Sequence, residues 1–84
     1  MDRDTEILVA KIIEKTLYNE KLYVDYVEYN NGIVDIHISW GDWKHEHLRC
    51  DYIMEQLGYT CFSESVTEED GSDCYSALHR YKKV

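Results

Sequence analysis

Leu22-Tyr23-Val24-Asp25-Tyr26-Val27-Glu28-Tyr29-Asn30-Asn31-Gly32-Ile33-Val34-Asp35-Ile36-His37-Ile38-Ser39-Trp40 is the stretch that decides the fold. β-Branched and aromatic residues alternate with polar ones on both sides of Asn30-Asn31-Gly32, the pattern of two strands joined by a tight turn. Two registers compete. A two-residue turn at Asn31-Gly32 places Asp25 on the same face as Ile36, Ile38 and Trp40. A three-residue loop with Gly32 in the left-handed position pairs Tyr29 with Ile33 instead. The second register gathers Leu22, Val24 and Tyr26 with Val34, Ile36, Ile38 and Trp40. It is preferred because a one-residue slip reverses every side chain. Tyr23, Asp25, Val27, Tyr29, Ile33, Asp35, His37 and Ser39 are then expected on the other face.

Before the hairpin, residues 4–19 carry Val9, Ile13 and Leu17 at helical spacing, with Leu8 and Ile12 widening the stripe. Asp2 or Asp4 can cap this helix. After the hairpin, Gly41 breaks the strand and Asp42 opens a second helix, residues 43–57, with Leu48, Tyr52, Ile53 and Leu57 as its inner stripe and Gly58 as its stop. Residues 59–66 and 73–82 read as a second hairpin. A loop at Glu69-Asp70-Gly71 pairs Glu68 with Ser72 and puts Phe62 and Val66 on a face with Cys74 and Leu78. Tyr59, Cys61, Tyr75, Ala77, His79 and Tyr81 share the opposite face. The expected fold is α+β: a two-layer sandwich in αββαββ order, with an antiparallel sheet and both helices on one face.

The 84 residues form one expected domain, 1–84, with no linker, sequence repeat or low-complexity stretch. Hydrophobic residues make up 44%, enough to supply a core. No apolar run spans a bilayer, and Met1 to Glu6 lack the pattern of a signal peptide, so a cytoplasmic location is expected. Cys50, Cys61 and Cys74 are an odd set, and reduced, mostly buried thiols are the expectation.

Three constellations hold residue types that carry chemistry. His47 and Cys50, three residues apart, can share a helical face and hold one ion, but His45 and His47 project about 200° apart. A solvated pair of histidines beside a buried thiol is the simpler reading, so no metal and no cofactor are expected. Cys61 and His79 fall opposite each other in the second hairpin, the elements of a nucleophile and its base. No oxyanion-hole loop accompanies them, and no catalytic residue is assigned. Asp25 and His37 are expected as cross-strand neighbours in a solvated ion pair. No phosphate-cradling glycine motif is present.

Charge is the more informative feature. Lys and Arg total 9 against 17 Asp and Glu, a net charge of −8. Such a surface disfavours direct contact with nucleic acid or an anionic membrane. Glu64, Glu68, Glu69, Asp70 and Asp73 crowd one stretch without a base, and a second set, Asp42, Glu46, Asp51 and Glu55, lies on the second helix. Carboxylates two apart on a strand stand about 6.5–7 Å from each other, near the spacing of successive phosphates. Eight tyrosines accompany them, and tyrosine is enriched at protein interfaces. In profile the chain resembles small acidic inhibitor proteins of phages and mobile elements, of the anti-CRISPR and nucleic-acid-mimic kind. The resemblance lies in compactness, the Glu64–Asp73 stretch and the Tyr/Asp/Glu mixture.

The expected function is that of a non-enzymatic interaction module that blocks a basic nucleic-acid-binding surface on a larger effector. Glu64, Glu68, Glu69, Asp70 and Asp73 would supply the field, and Tyr59, Tyr75 and Trp43 the contacts. The alternative is a regulatory or assembly subunit that forms a homodimer through a tyrosine-rich sheet face including Tyr23 and Tyr29. The basic end, His79 to Lys83, would pair with the acidic loop or steer one edge to a partner.

Overall fold

A computed structural model describes residues 2–41, 46–68 and 74–84. The elements follow the expected order: α1 (Arg3–Asn19), β1 (Tyr23–Asn30), β2 (Ile33–Gly41), α2 (Glu46–Gln56), β3 (Tyr59–Glu68) and β4 (Cys74–Lys83). The four strands form one antiparallel sheet in the order β1-β2-β4-β3. The two hairpins thus meet along β2 and β4, and β1 and β3 are the edges. Both helices lie on one face, with α1 over β1 and α2 over β3. No helix among the described residues is long and apolar enough to cross a membrane.

The inner face of β2 is as expected: Val34, Ile36, Ile38 and Trp40 are all buried. The hairpin register is not. Asn30 pairs with Ile33 and Tyr29 with Val34, so the loop is the two-residue turn Asn31-Gly32. Both turn residues have positive φ, 52° and 81°, which suits the twist of the flanking strands and the Asn-Gly dipeptide. The conflict over Asp25 is resolved by a β-bulge between Val24 and Tyr26. The bulge inserts one residue and changes the phase of β1. Leu22 and Val24 face the helices before it, and Tyr29 faces them after it. Tyr26, expected inside, is outside and stacks on His37 at 5.4 Å.

Asp2 caps α1 by accepting from the Thr5 amide at 2.8 Å. The buried stripe of α1 is Glu6, Ala10, Ile13 and Leu17, and the expected flank of Leu8 and Ile12 is exposed. In α2 the inward residues are Cys50 and Met54, with Ile53 packed against them, while Leu48, Tyr52 and Leu57 are exposed. The expected α2 stripe is therefore rotated. Asp42, the expected cap, lies outside the described residues.

In the second hairpin Glu68 pairs with Tyr75 instead of Ser72, and Val66 with Ala77. The proposed loop at Glu69-Asp70-Gly71 lies outside the described residues. A bulge between Cys61 and Ser63 again changes the phase. Leu78 and Val66 consequently do not share a face, and Cys61 pairs with Tyr81 instead of His79.

The halves α1-β1-β2 and α2-β3-β4 repeat each other in layout though not in sequence. Each helix ends on a left-handed residue, Lys21 or Gly58, and each first strand carries one bulge at Asp25 or Phe62. These pairs share one offset in residue number, and that offset also matches buried Ile13 with Cys50 and Leu17 with Met54. Aligning the bulges matches Val24 with Cys61, Val27 with Glu64, Ile36 with His79 and Ile38 with Tyr81.

Candidate functional site

The inner face of β4 carries His79 and Tyr81, both fully buried. Strand alternation puts them on one side of the sheet, and α2 brings Cys50 and Asp51 down onto them. The Tyr81 hydroxyl donates to Asp51 Oδ1 at 2.5 Å, and His79 Nδ1 lies 2.8 Å from the same oxygen. An ionised carboxylate only accepts, so Nδ1 carries the proton in the neutral ring. Cys50 Sγ is 3.4 Å from the Tyr81 hydroxyl. Glu64, directly across from His79 on β3, places Oε1 3.8 Å from His79 Nε2.

Cys61 completes the group. It belongs to the same sheet face as Tyr81, and one ligand atom each from Asp51, Cys61 and His79 lies within 4.8 Å of the others. A depression of about 400 Å³ opens above them, lined by Asp51, Glu55, Thr60, Cys61, Phe62, Ser63 and Glu64. Its charged lining residues are all carboxylates.

The surroundings favour neutral thiol and phenol. Burial is the main cause of the rise in the Cys50 thiol to about 12, against which the Tyr81 hydroxyl acts. Burial likewise raises the Tyr81 phenol, helped by Cys50 and by the hydrogen bond to Asp51. The Cys61 thiol is raised by burial first and by the Asp51 charge second. Neither cysteine is an activated thiolate, which needs a lowered pKa.

The residues expected to form an interaction surface are divided by the structure. Glu64 faces the His79 group, and Glu68 ends β3 opposite Tyr75. Trp43, Glu69, Asp70 and Asp73 lie outside the described residues. Tyr59 is buried, 6% exposed, with its ring edge-on to Tyr29, so it is core and not an exposed anchor. Tyr75 is half-buried and stacks on Trp40 at 5.7 Å. Tyr29 and Tyr81 are also inside, which leaves Tyr23 and Tyr26 as the exposed tyrosines of β1. Of the two tyrosines expected on the outer sheet face, Tyr23 is exposed there and Tyr29 is not.

That outer face is polar. Asp25 Oδ2 accepts from His37 Nδ1 at 2.7 Å and from the Ser39 hydroxyl at 2.6 Å, as expected of Asp25 and His37. The basic end is partly engaged. Arg80 pairs with Asp35 at 2.8 Å, and Arg80 and Lys82 both lie over the Phe62 ring.

The sequence reading missed Asp51 as a partner of His79. Cys50 is buried as expected, and that burial places Asp51 at the inner margin of α2, but nothing in the spacing links Asp51 to His79. His47, the other half of the sequence-level metal pair, lies in the first turn of α2. Comparison of the chain with protein-family models, curated proteins and solved structures gave no match.

Proposed function

We propose that the chain is a non-enzymatic interaction protein that sets an acidic edge against a basic, nucleic-acid-binding surface of a larger effector. The observation that carries this reading is the α2/β3 edge, where Asp51 and Glu55 from the helix and Glu64 from the strand ring one depression. Residues 62–67 of β3 are all exposed, and among the described residues β3 has no neighbouring strand on its outer side. Its sequence continues through Glu68, Glu69, Asp70 and Asp73. A long open edge is a place where proteins pair with others unless it is guarded. Carboxylates along it repel acidic surfaces and steer basic ones. The class of partner is a nucleic-acid-processing enzyme, in keeping with the resemblance to small acidic inhibitors.

The test is capture of partners from lysate with tagged protein, followed by identification, a salt series and competition with oligonucleotide. The expected result is a nucleic-acid-binding protein released by moderate salt and displaced by oligonucleotide. Replacing Glu68, Glu69 and Asp70 with lysine should abolish capture without changing the circular dichroism spectrum. Capture that is indifferent to both oligonucleotide and the triple replacement would refute the reading.

A further inference from the structure

Asp51, Cys61 and His79 come from three different elements, α2, β3 and β4, yet converge to within 4.8 Å. The matching places in the first half show what the fold itself requires there. Glu14, itself a carboxylate, matches Asp51, and the places of Cys61, Glu64 and His79 hold the aliphatic Val24, Val27 and Ile36, with Val24 and Ile36 buried. The second half replaces these with Cys61, Glu64 and His79. Packing does not ask for this, because the first half closes around aliphatic side chains in the same layout. The exchanged residues are all capable of holding a cation, and they meet beneath an acidic opening bordered by Glu55 and Glu64.

From this geometry we propose a binding site for a zinc-class transition-metal ion, held by the Asp51 carboxylate, the Cys61 sulfur and one ring nitrogen of His79. Glu64 stands at the mouth, where it or water supplies the fourth position. Tetrahedral zinc with bonds of roughly 2.0–2.3 Å puts its ligand atoms roughly 3.5 Å apart. No pair of the three ligand atoms stands more than about an ångström beyond that spacing, a difference within the reach of side-chain rotation. A sulfur with an imidazole selects zinc-like ions over magnesium or calcium, which take oxygen ligands. Cys61 binds as the thiolate and its proton leaves to solvent. Tyr81, hydrogen-bonded to Asp51, orients the carboxylate from behind, as outer partners of metal ligands do.

The site does not depend on a protein partner, and Glu68, Glu69 and Asp70 are not among its ligands. Failure of one proposal thus leaves the other standing.

The experiment is titration of the reduced full-length chain, stripped with chelator, with Co(II) and then Zn(II). Saturation at one equivalent is expected, with a thiolate-to-cobalt charge-transfer band that zinc abolishes. Cys61→Ser should remove the band and weaken binding by at least about 100-fold, the upper end of what loss of an outer partner alone costs. Asp51→Asn should weaken binding while keeping the band. The double variant His45→Asn/His47→Asn should bind as the parent does. Circular dichroism of each variant confirms folding, and Cys61, partly exposed, is the replacement least exposed to a folding defect. Absence of saturable binding, a band that survives Cys61→Ser, or loss of binding in the histidine double variant would each overturn the site.

Discussion

The two αββ halves solve the same packing problem with different chemistry. In the first, Ile13, Leu17, Val24, Ile36 and Ile38 close the space between helix and hairpin with aliphatic surface. In the second, Cys50, Met54, Cys61, His79 and Tyr81 stand in the same places, joined by Asp51. Apolar side chains gain roughly 25 cal/mol per Å² on burial and need no partner. Imidazole, phenol and carboxylate need hydrogen bonds to offset desolvation. The first half, although α1 also buries Glu6, is therefore the more stabilising one, and the other holds a polar centre whose cost the fold tolerates.

The largest effect is expected on the aliphatic side. Ile36 is fully buried between β1 and β4, and Ile36→Ala should cost about 2–5 kcal/mol in urea unfolding. A small domain has about 5–15 kcal/mol in all, so this variant sits near the limit of folding. A loss below about 1 kcal/mol would show that the first half is not the stabilising one.

The comparison is broken most directly by making the second half resemble the first. The triple variant Cys61→Val, Glu64→Val, His79→Ile should remain folded. Its stability should be unchanged or up to about 4 kcal/mol higher, as when buried polar groups are exchanged for apolar ones of similar volume. The Asp51–Tyr81 hydrogen bond remains to hold the carboxylate. An unfolded triple variant would make the polar centre structural, and the contrast between halves would lose its functional meaning.

Alkaline titration separates the halves by pH. The Cys50 thiol ionises near 9.0 when free and near 12 in the fold. The folded state thus holds its proton longer than the unfolded state does. Its contribution is complete below pH 9 and is lost as pH rises towards 12. Tyr59, raised by burial from 10.0 to about 12, acts in the same direction. Stability measured by denaturant midpoint should fall across this window, and Cys50→Val should flatten the fall. An unchanged slope in that variant would remove Cys50 from the account.

The smallest effect belongs to the outer face. Asp25 bonds to His37 and Ser39 in solvent, and Asp25→Asn should change stability by less than about 1 kcal/mol. A larger loss would mean that the bulge depends on this carboxylate, a role that its counterpart Phe62 cannot share.

The same contrast governs how far the sequence could be read. β2 was legible because each inward position, Val34, Ile36, Ile38 and Trp40, is large and apolar and each outward one but Ile33 is polar. The order of elements and both helices on one face followed from spacing and turn residues. β1 was misread at Tyr26 because a bulge leaves no mark of its own, and Asp25 served only to make the true turn look wrong. α2 was misread because its inner side is set by Cys50 and Met54, with Asp51 at its margin, whereas the larger apolar Leu48 and Tyr52 are exposed. The polar centre stayed hidden for the same reason: its ligand-capable residues lie on three elements, so neither spacing nor periodicity joins Asp51 to His79.

The seam between β2 and β4 has a consequence for how the chain comes together. Each hairpin and each helix-to-strand contact links near neighbours along the chain, whereas the seam joins Ile33 to Lys82 and Gly41 to Cys74 across α2 and β3. Contacts of long sequence separation require loop closure before they return any energy and so slow folding. The two halves can take shape independently, but neither is finished until they dock along this line. Ile36 and His79 face each other across it, so docking brings the polar centre against the aliphatic one and closes its inner side, although Asp51, Cys61 and His79 already belong to a single half.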